Sequence, residues 1–244
     1  WVFIEQLICK EWSPEQISVW MKKNMDIAVS HEWIYQYILK DKLAGGSLYI
    51  LLRSKKKRKK RYGSNERRGI LKNRIGIDQR PAIVDTRSRV WDREADTIIG
   101  KAHKQAIVSI TERKSGLALI YKVDRRTKEN TEGAIKRLLG SISKQVHTIT
   151  SDNGKEFGDH EKIAAGLKCN FYFAHAYSSW ERETNENTNG LIRQYFPKNR
   201  DFRTITDKEL IHAMKRINNR PRKRLGYKTP NQVYFRESFD VALT

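Results

Sequence analysis

The chemistry this sequence can offer rests on its carboxylates. Asp96 lies in the strand-like stretch Ala95–Gly100, Asp152 directly follows the apolar stretch Val146–Thr150, and Glu181, Glu183 and Glu186 cluster further on. Aspartates on adjacent strands can hold divalent metal through hard oxygen ligands, and a third acid on a nearby helix would complete two sites. Taken singly, the signals have plainer readings: Asp152-Asn153-Gly154 after a strand is an ordinary turn, and Asp96 is an acid in a strand. His103, His160 and His175 lack paired ligand spacing and read as structural or DNA-contacting residues. Cys9 and Cys169 stand far apart, so neither a disulfide framework nor a zinc site is supported.

The acids sit in a very basic chain, with 49 Lys plus Arg against 28 Asp plus Glu and a formal net charge of +21. Such an excess favours a polyanionic partner. Nucleic acid fits better than a membrane, because no basic amphipathic helix of membrane-surface type is apparent, and no apolar run approaches the roughly 18 residues needed to span a bilayer. The chain reads as soluble and intracellular. The charge is concentrated between Arg53 and Arg74, where twelve bases face one acid, Glu66. Its centre, Lys55, Lys56, Lys57, Arg58, Lys59, Lys60 and Arg61, has no apolar residue to pack, so it is a linker suited to phosphate contact.

The elements that must position these residues follow from caps and periodicity. Ser13-Pro14-Glu15-Gln16 opens a helix with a capping box and Ile17, Trp20 and Met21 on one face. A second helix starts at Ser30, turns Ile34, Tyr37 and Ile38 inward and stops at Gly45-Gly46. The pair is a helix-turn-helix candidate presenting His31, Glu32, Tyr35, Gln36 and Lys40; a plain helical hairpin stays open, because the connection Asn24–Val29 is long. Beyond the linker, strands are expected at Ala95–Gly100, Ala106–Thr111, Leu117–Val123, Val146–Thr150 and Phe171–Ala174. Helices should carry Ala134, Ile135, Leu138 and Leu139, then Ile163 and Leu167, then the segment after Trp180. Thr206–Glu209 caps a last one that ends at Asn218-Asn219-Arg220-Pro221. Three strands followed by alternating helix and strand make an α/β core with a five-stranded sheet. The expected divisions are a helix-turn-helix segment over 1–46, a basic linker over 47–80 and a core over 81–240.

Several long motifs now carry a resemblance. Thr150-Ser151-Asp152-Asn153-Gly154-Lys155-Glu156-Phe157, Phe173-Ala174-His175 and Tyr177-Ser178-Ser179-Trp180-Glu181-Arg182 lead to Asn185-Glu186-Asn187-Thr188-Asn189-Gly190-Leu191-Ile192-Arg193. With Asn218-Asn219-Arg220-Pro221, Leu225-Gly226-Tyr227-Lys228-Thr229-Pro230 and Trp12-Ser13-Pro14, the sequence resembles the IS-thirty family of bacterial insertion-sequence transposases over nearly its whole length. The resemblance implies a ribonuclease H-like integrase core, a five-stranded mixed sheet with flanking helices, whose Asp-Asp-Glu triad is Asp96, Asp152 and Glu186. It implies two Mg²⁺ (or Mn²⁺) ions, with Asp96 bridging them and Asp152 and Glu186 each holding one. The implied reaction is water attack at the element end, then in-line attack by the freed 3′-hydroxyl on a second phosphodiester. The implied partners are double-stranded DNA, both terminal inverted repeats and target, and further copies of the chain assembled on it. No membrane is implied, and the implied location is the bacterial cytoplasm, at the nucleoid. Lys155, Asn189 and Arg193 join Gln36, Lys40 and the linker as candidate DNA contacts. Family members carry a further helix-turn-helix ahead of the position of Trp1, so the chain is expected to be N-terminally truncated.

Three departures bear on activity. Where the family reads Gly-Asp-Trp-Glu-x-Asp, this chain has Trp91-Asp92-Arg93-Glu94-Ala95-Asp96; Glu183 and Gln105 also stand at positions where Gly is common. Lost glycines threaten backbone strain, and at position 183 the family's Gly also suits a close approach of DNA that a side chain would disturb. On this ground Glu183→Gly is expected to raise strand cleavage, with Glu183→Gln recovering only the electrostatic part. Two rival readings stay open: a catalytically dead remnant or repressor of the same element that still binds DNA, and a nuclease of the same superfamily acting on RNA hybrids. Metal-dependent nicking of element-end DNA separates the first from an active enzyme.

Replacing Lys55–Arg61 by Gly and Ser should flatten the salt dependence of DNA binding, since each neutralised phosphate contributes about −0.9 to the slope of log affinity against log salt. An unchanged slope would show the run to be a spacer.

Overall fold

The computed structural model describes residues 1–53, 71–101, 104–176 and 178–242. The basic run Lys55–Arg61 and His103 lie outside them. The described residues divide into a helical unit, which also contains the segment 219–233, and a unit built on a sheet.

In the helical unit, α1 (Val2–Cys9), α2 (Pro14–Met25) and α3 (His31–Leu43) enclose a core of Ile4, Leu7, Ile8, Ile17, Met21, Ile34 and Ile38. The Ser13 capping box forms as expected: Ser13 Oγ accepts from Gln16 N–H, and Gln16 Oε1 accepts from Ser13 N–H at 2.8 Å. Ser30 caps α3. The sequence reading assigned no helix to α1, although Ile4, Leu7 and Ile8 have the spacing of one buried face. The segment 219–233 packs within this unit, where Gln16 Nε2 donates to Pro221 O, Arg220 pairs with Glu11 and Lys223 with Glu15. His31, Glu32, Tyr35, Gln36 and Lys40 are all exposed on α3.

The second unit begins with a single helical turn, α4 (Ile83–Thr86), followed by β1 (Asp92–Ile99), β2 (Ala106–Glu112), β3 (Ala118–Val123), α5 (Lys128–Leu139), β4 (Thr148–Ser151), α6 (His160–Leu167), β5 (Asn170–Phe173), α7 (Glu183–Tyr195) and α8 (Asp207–Asn218). The strands form one mixed sheet in the order β3-β2-β1-β4-β5, with β1/β2 and β2/β3 antiparallel and β1/β4 and β4/β5 parallel. This is the five-stranded mixed architecture expected from the sequence. One apolar cluster joins Ala95, Val108 and Ile110 to α5 and α6; a second joins Ile98, Ile107 and Ile120 to α7 and α8. No helix among the described residues is long and apolar enough to cross a membrane. The chain continues into α9 (Pro230–Ala242), opened by a Thr229 and Gln232 capping pair.

The first strand starts three residues earlier than its apolar pattern indicates, because Asp92, Arg93 and Glu94 are buried. Asp92 and Glu94 have partners that make this tolerable. Thr148 Oγ1 donates to Asp92 Oδ1 at 2.7 Å, and Arg89 Nε to Asp92 Oδ2 at 2.8 Å. Just before the strand, Trp91 holds φ +83°, a region that a bulky residue enters only under strain. Here the family's glycine has a backbone reason, and here the sequence departs from it. The Trp91 ring is edge-on to Tyr234, and the Arg93 guanidinium lies 5.9 Å from the Trp91 ring and 5.4 Å from that of Tyr234.

Arg93 is fully buried, and its Nε and Nη1 have no partner among the described residues. Its bond to Tyr234 Oη at 3.0 Å and two ring contacts offset part of that desolvation. An incompletely paired buried cation costs several kcal/mol and outweighs those contacts. Arg93→Met should therefore stabilise the chain by about 1–2 kcal/mol, measured as a raised denaturation midpoint at constant m-value; a lowered midpoint would show the ring contacts to dominate.

Candidate active site

The pairing of β1 with β4 sets Asp92 opposite Thr148, Arg93 opposite Ile149 and Glu94 opposite Thr150. Continued by two residues, this register leads to Asp96, within β1, and to Asp152, one residue past the end of β4, close enough for the charge of Asp152 to act on Asp96. Asp152 Oδ1 accepts from Gly154 N–H at 2.9 Å, which closes the turn after β4. Gly154 has an ordinary φ of −67°, so the glycine serves close approach: a Cβ there would lie 2.5 Å from Glu156 Oε2. The buried Glu156 carboxylate accepts from Thr97 Oγ1 at 2.7 Å and pairs with Arg126, tying the Asp152 turn to β1 beside Asp96. Asn153 Nδ2 donates to Ala174 O at 2.7 Å and ties the same turn to the end of β5.

On the other face of β1, α7 is held by polar contacts. Glu94 is fully buried; its Oε2 accepts from Asn185 N–H in the first turn of α7 at 2.7 Å, and its Oε1 pairs with Arg113 Nη1 at 2.6 Å. Arg113 also donates to Val84 O and Glu181 O. Burial raises the Glu94 carboxyl above its ordinary range, against the opposing charge of Arg113. One turn on, Ser109 Oγ donates to Asn189 Oδ1 at 2.8 Å, and Asn189 Nδ2 donates to Asp96 Oδ2 at 3.0 Å. Asn189 therefore holds the first aspartate, although it shares a helix with Glu186.

Asp96 is mostly buried, with 24% of its side chain exposed. Its Oδ1 accepts from Thr97 N–H at 2.7 Å, and its Oδ2 lies 3.2 Å from Arg182 Nη1. Burial raises its pKa, Arg182 opposes that rise, and the negative charge of Asp152 adds to it. Glu186 is exposed on the first turns of α7. Among the described residues no three His, Cys, Asp or Glu side chains stand close enough to hold a metal ion as they are. The donor chemistry nevertheless fits a hard cation: two aspartates on adjacent strands repel each other, and Arg182 supplies the positive charge their site calls for.

The remaining candidates are spread more widely. Arg193 is half-buried over the Phe202 ring; burial lowers its pKa and the charge of Asp96 raises it. Lys155 is exposed beside the Asp152 turn, while Gln36 and Lys40 belong to the helical unit. His160 is buried against Phe171 and Phe173 and is structural. His175 stands between Glu181 and Asp78, at 2.8 and 3.0 Å. Glu183 is 72% exposed, pairs with Arg87 at 3.4 Å and has helical φ −55° and ψ −37°. Neither Glu183 nor Gln105 is in the left-handed region, so the expected strain is absent at both. The sequence reading missed Glu94, Arg113, Ser109, Asn185 and Arg182 as site residues. Glu94 had a signal, being an acid two positions before Asp96 and hence on the same strand face.

Comparison with known proteins agrees with these motifs. The transposase for insertion sequence element IS4351 of Bacteroides fragilis is 46% identical over 232 residues, 95% of this chain and 71% of that protein. The transposase for element IS1086 of Cupriavidus metallidurans is 32% identical over 96% of this chain and 71% of its own length. Transposase InsI for element IS30A of Escherichia coli K12 is 32% identical over 99% of this chain and 64% of its own length. Among solved structures, the catalytic core domain of BIV integrase matches 63% of this chain and 99% of its own, at 20% identity and a TM-score of 0.49. No family model matches. Aligned over 95% of its own residues with a 46% identical transposase, the chain belongs to the IS30 family of insertion-sequence transposases.

Proposed function

We propose that this chain binds the ends of its element as double-stranded DNA and catalyses metal-dependent phosphodiester cleavage and strand transfer. Asp96, Asp152 and Glu186 are its catalytic carboxylates. The observation that supports the reading is the parallel register of β1 and β4, which runs toward Asp96 within β1 and Asp152 just past β4, together with the anchoring of the Glu186 helix to β1. Asp96, Asp152 and Glu186 would hold Mg²⁺ or Mn²⁺, two ions in all, which supply Lewis-acid polarisation and charge neutralisation at the phosphodiester.

The protein's own part is positioning and charge. Asn189 fixes the rotamer of Asp96, and the Asx turn at Gly154 fixes that of Asp152. Glu94 holds the first turn of α7, so Glu186 rides on a helix whose start is anchored to β1. Arg193 and Lys155 lie beyond the acids and suit the phosphates flanking the reacting one. Gln36, Lys40 and the Lys55–Arg61 run extend the contact to element-end DNA and raise its salt dependence. Pairing two element ends with a target calls for more than one copy of the chain on DNA. Such an assembly works where bacterial DNA is, at the nucleoid.

Asp96→Asn, Asp152→Asn and Glu186→Gln should each lower cleavage by at least about a thousandfold, on the order of 4 kcal/mol of transition-state stabilisation, while Glu186→Gln keeps metal-free DNA binding within about twofold. Full cleavage by Glu186→Gln would remove it from the triad. Because Glu183 carries no backbone strain, Glu183→Gly and Glu183→Gln should raise cleavage equally, by removing one negative charge near the site; a gain confined to Gly would restore the close-approach explanation.

A further consequence concerns pH. Hydrogen bonding and charge from Glu181, then from Asp78, raise the His175 pKa above its ordinary value. The clamp that His175 forms with Glu181 and Asp78 ahead of α7 is therefore complete below about pH 6.5 and weakens as pH rises through the higher folded value. The His175 ring protons should titrate above pH 6.5 by NMR, and Glu181→Gln should lower that midpoint. A midpoint at or below the ordinary value would show that the clamp does not form.

A further inference from the structure

Arg182 closes the short turn Ser179–Arg182 and directly precedes the first residue of α7. Its guanidinium Nη1 lies 3.2 Å from Asp96 Oδ2, with 13% of the side chain exposed. That oxygen also accepts from Asn189 Nδ2 at 3.0 Å, and the other oxygen accepts from Thr97 N–H at 2.7 Å. Both carboxylate oxygens of Asp96 are thus engaged, and the single cation among their partners is a protein side chain. Arg182 Nε is buried and has no partner among the described residues, so the guanidinium is only partly satisfied where it stands.

A divalent cation on Asp96 would compete with Arg182 for Oδ2 and would sit beside a fixed positive charge. The two cations exclude each other. A displaced guanidinium, partly buried and never deprotonated, must find another anion, and its planar fork matches a phosphate oxygen pair better than any other group DNA presents. Neighbouring Glu94 offers no alternative, because Arg113 and the Asn185 N–H already hold both of its oxygens.

We propose that Arg182 is the counter-ion of Asp96 in the metal-free protein and a phosphate ligand in the DNA-bound one, so that divalent metal and DNA each promote binding of the other. The inference rests on the reading of Asp96 as a metal ligand. Before DNA arrives, Arg182 keeps the first aspartate neutralised and metal affinity low. When a backbone phosphate takes the guanidinium, Asp96 is released to metal where a substrate is present. By linkage, metal must tighten DNA binding by the same factor.

The test is Mn²⁺ binding to the full chain, read by electron paramagnetic resonance of free Mn²⁺, with and without a duplex DNA of the element end. Binding is counted above the background given by Asp96→Asn, and unfolding curves show that each variant is folded. Without DNA, Arg182→Gln should bind Mn²⁺ at least about tenfold more tightly than wild type, equivalent to about 1.4 kcal/mol. Arg182→Lys, which keeps a cation, should stay close to wild type. DNA should tighten Mn²⁺ binding about tenfold in wild type and less than about twofold in Arg182→Gln. Mn²⁺ binding by Arg182→Gln no tighter than wild type, with Asp96→Asn silent, overturns this inference alone; so does an equal effect of DNA on both proteins. Undiminished Mn²⁺ binding by Asp96→Asn overturns the assignment of Asp96 as a metal ligand, and the inference with it.

Discussion

The carboxylate of Glu94 is the joint on which the site depends. It is fully buried on β1, and each oxygen serves a different element: one the Arg113 guanidinium, the other the N–H of Asn185 in the first turn of α7. Burying an acid and a base together gains little net stability, because desolvation takes back most of the attraction; removing one partner from such a pair costs about 3–5 kcal/mol. The arrangement therefore acts less as a source of stability than as a fixed point. A helix start docked in another register would leave a buried charge without its hydrogen bond. Since Asp96 is two residues along the same strand and Glu186 one residue beyond Asn185, the pair that fixes the joint also fixes the approach of the two acids.

Strand alternation extends this logic to the second aspartate. Glu94, Asp96 and Ile98 face α7 and α8, whereas Ala95 and Thr97 face the opposite side of the sheet. On that side Thr97 donates to Glu156, whose carboxylate also takes Arg126 and lies against the backbone of Gly154. One strand thus braces the Glu186 helix with one face and the Asp152 turn with the other. Both braces are buried or nearly so, while Asp96, Asp152 and Glu186 keep some exposure. A rigid frame around partly exposed acids is what chemistry on a large polyanion requires, because the substrate brings its own bulk and the site cannot close over it.

Much of the fold was legible in the sequence because it is written in short-range signals. The Ser13, Ser30 and Thr206 caps and the apolar stretches of the five strands all correspond to elements of the structure. Three helices were passed over, the single turn α4 among them. α1 lacks a capping residue, since Trp1 provides no side-chain bond, while α9 opens with Thr229-Pro230-Asn231-Gln232, the same pattern as Ser13-Pro14-Glu15-Gln16. The polar joints were illegible for a different reason. Nothing local in Arg113 or Asn185 says that its partner lies on another strand or helix, and Glu94 becomes a structural acid only when α7 docks on it. Motif resemblance led to Asp96, Asp152 and Glu186, but the residues that orient them act through tertiary contacts that motif spacing does not encode.

The departures from the family pattern separate by the same kind of physics. Glu183 occupies ordinary helical backbone, and Gln105 is outside the left-handed region, so a side chain at either position imposes no conformational cost. Trp91 differs, because its φ of +83° is the one of the three that calls for glycine. The strain there, on the order of 1–3 kcal/mol, is comparable to what burial of a large aromatic ring returns. Arg93 also enters the argument: it replaces the family's Trp, is fully buried, and its charge lies near the rings of Trp91 and Tyr234. The two exchanges form one contact group at the start of β1, in which the residue that breaks the glycine rule supplies a ring to the residue that buries a cation. The group sits at the end of β1 remote from Asp96, and the bonds that hold Asp96 run to Thr97, Arg182 and Asn189 and to none of its members. Strain at Trp91 is therefore a matter for the stability of the core, and the carboxylate geometry is set independently of it.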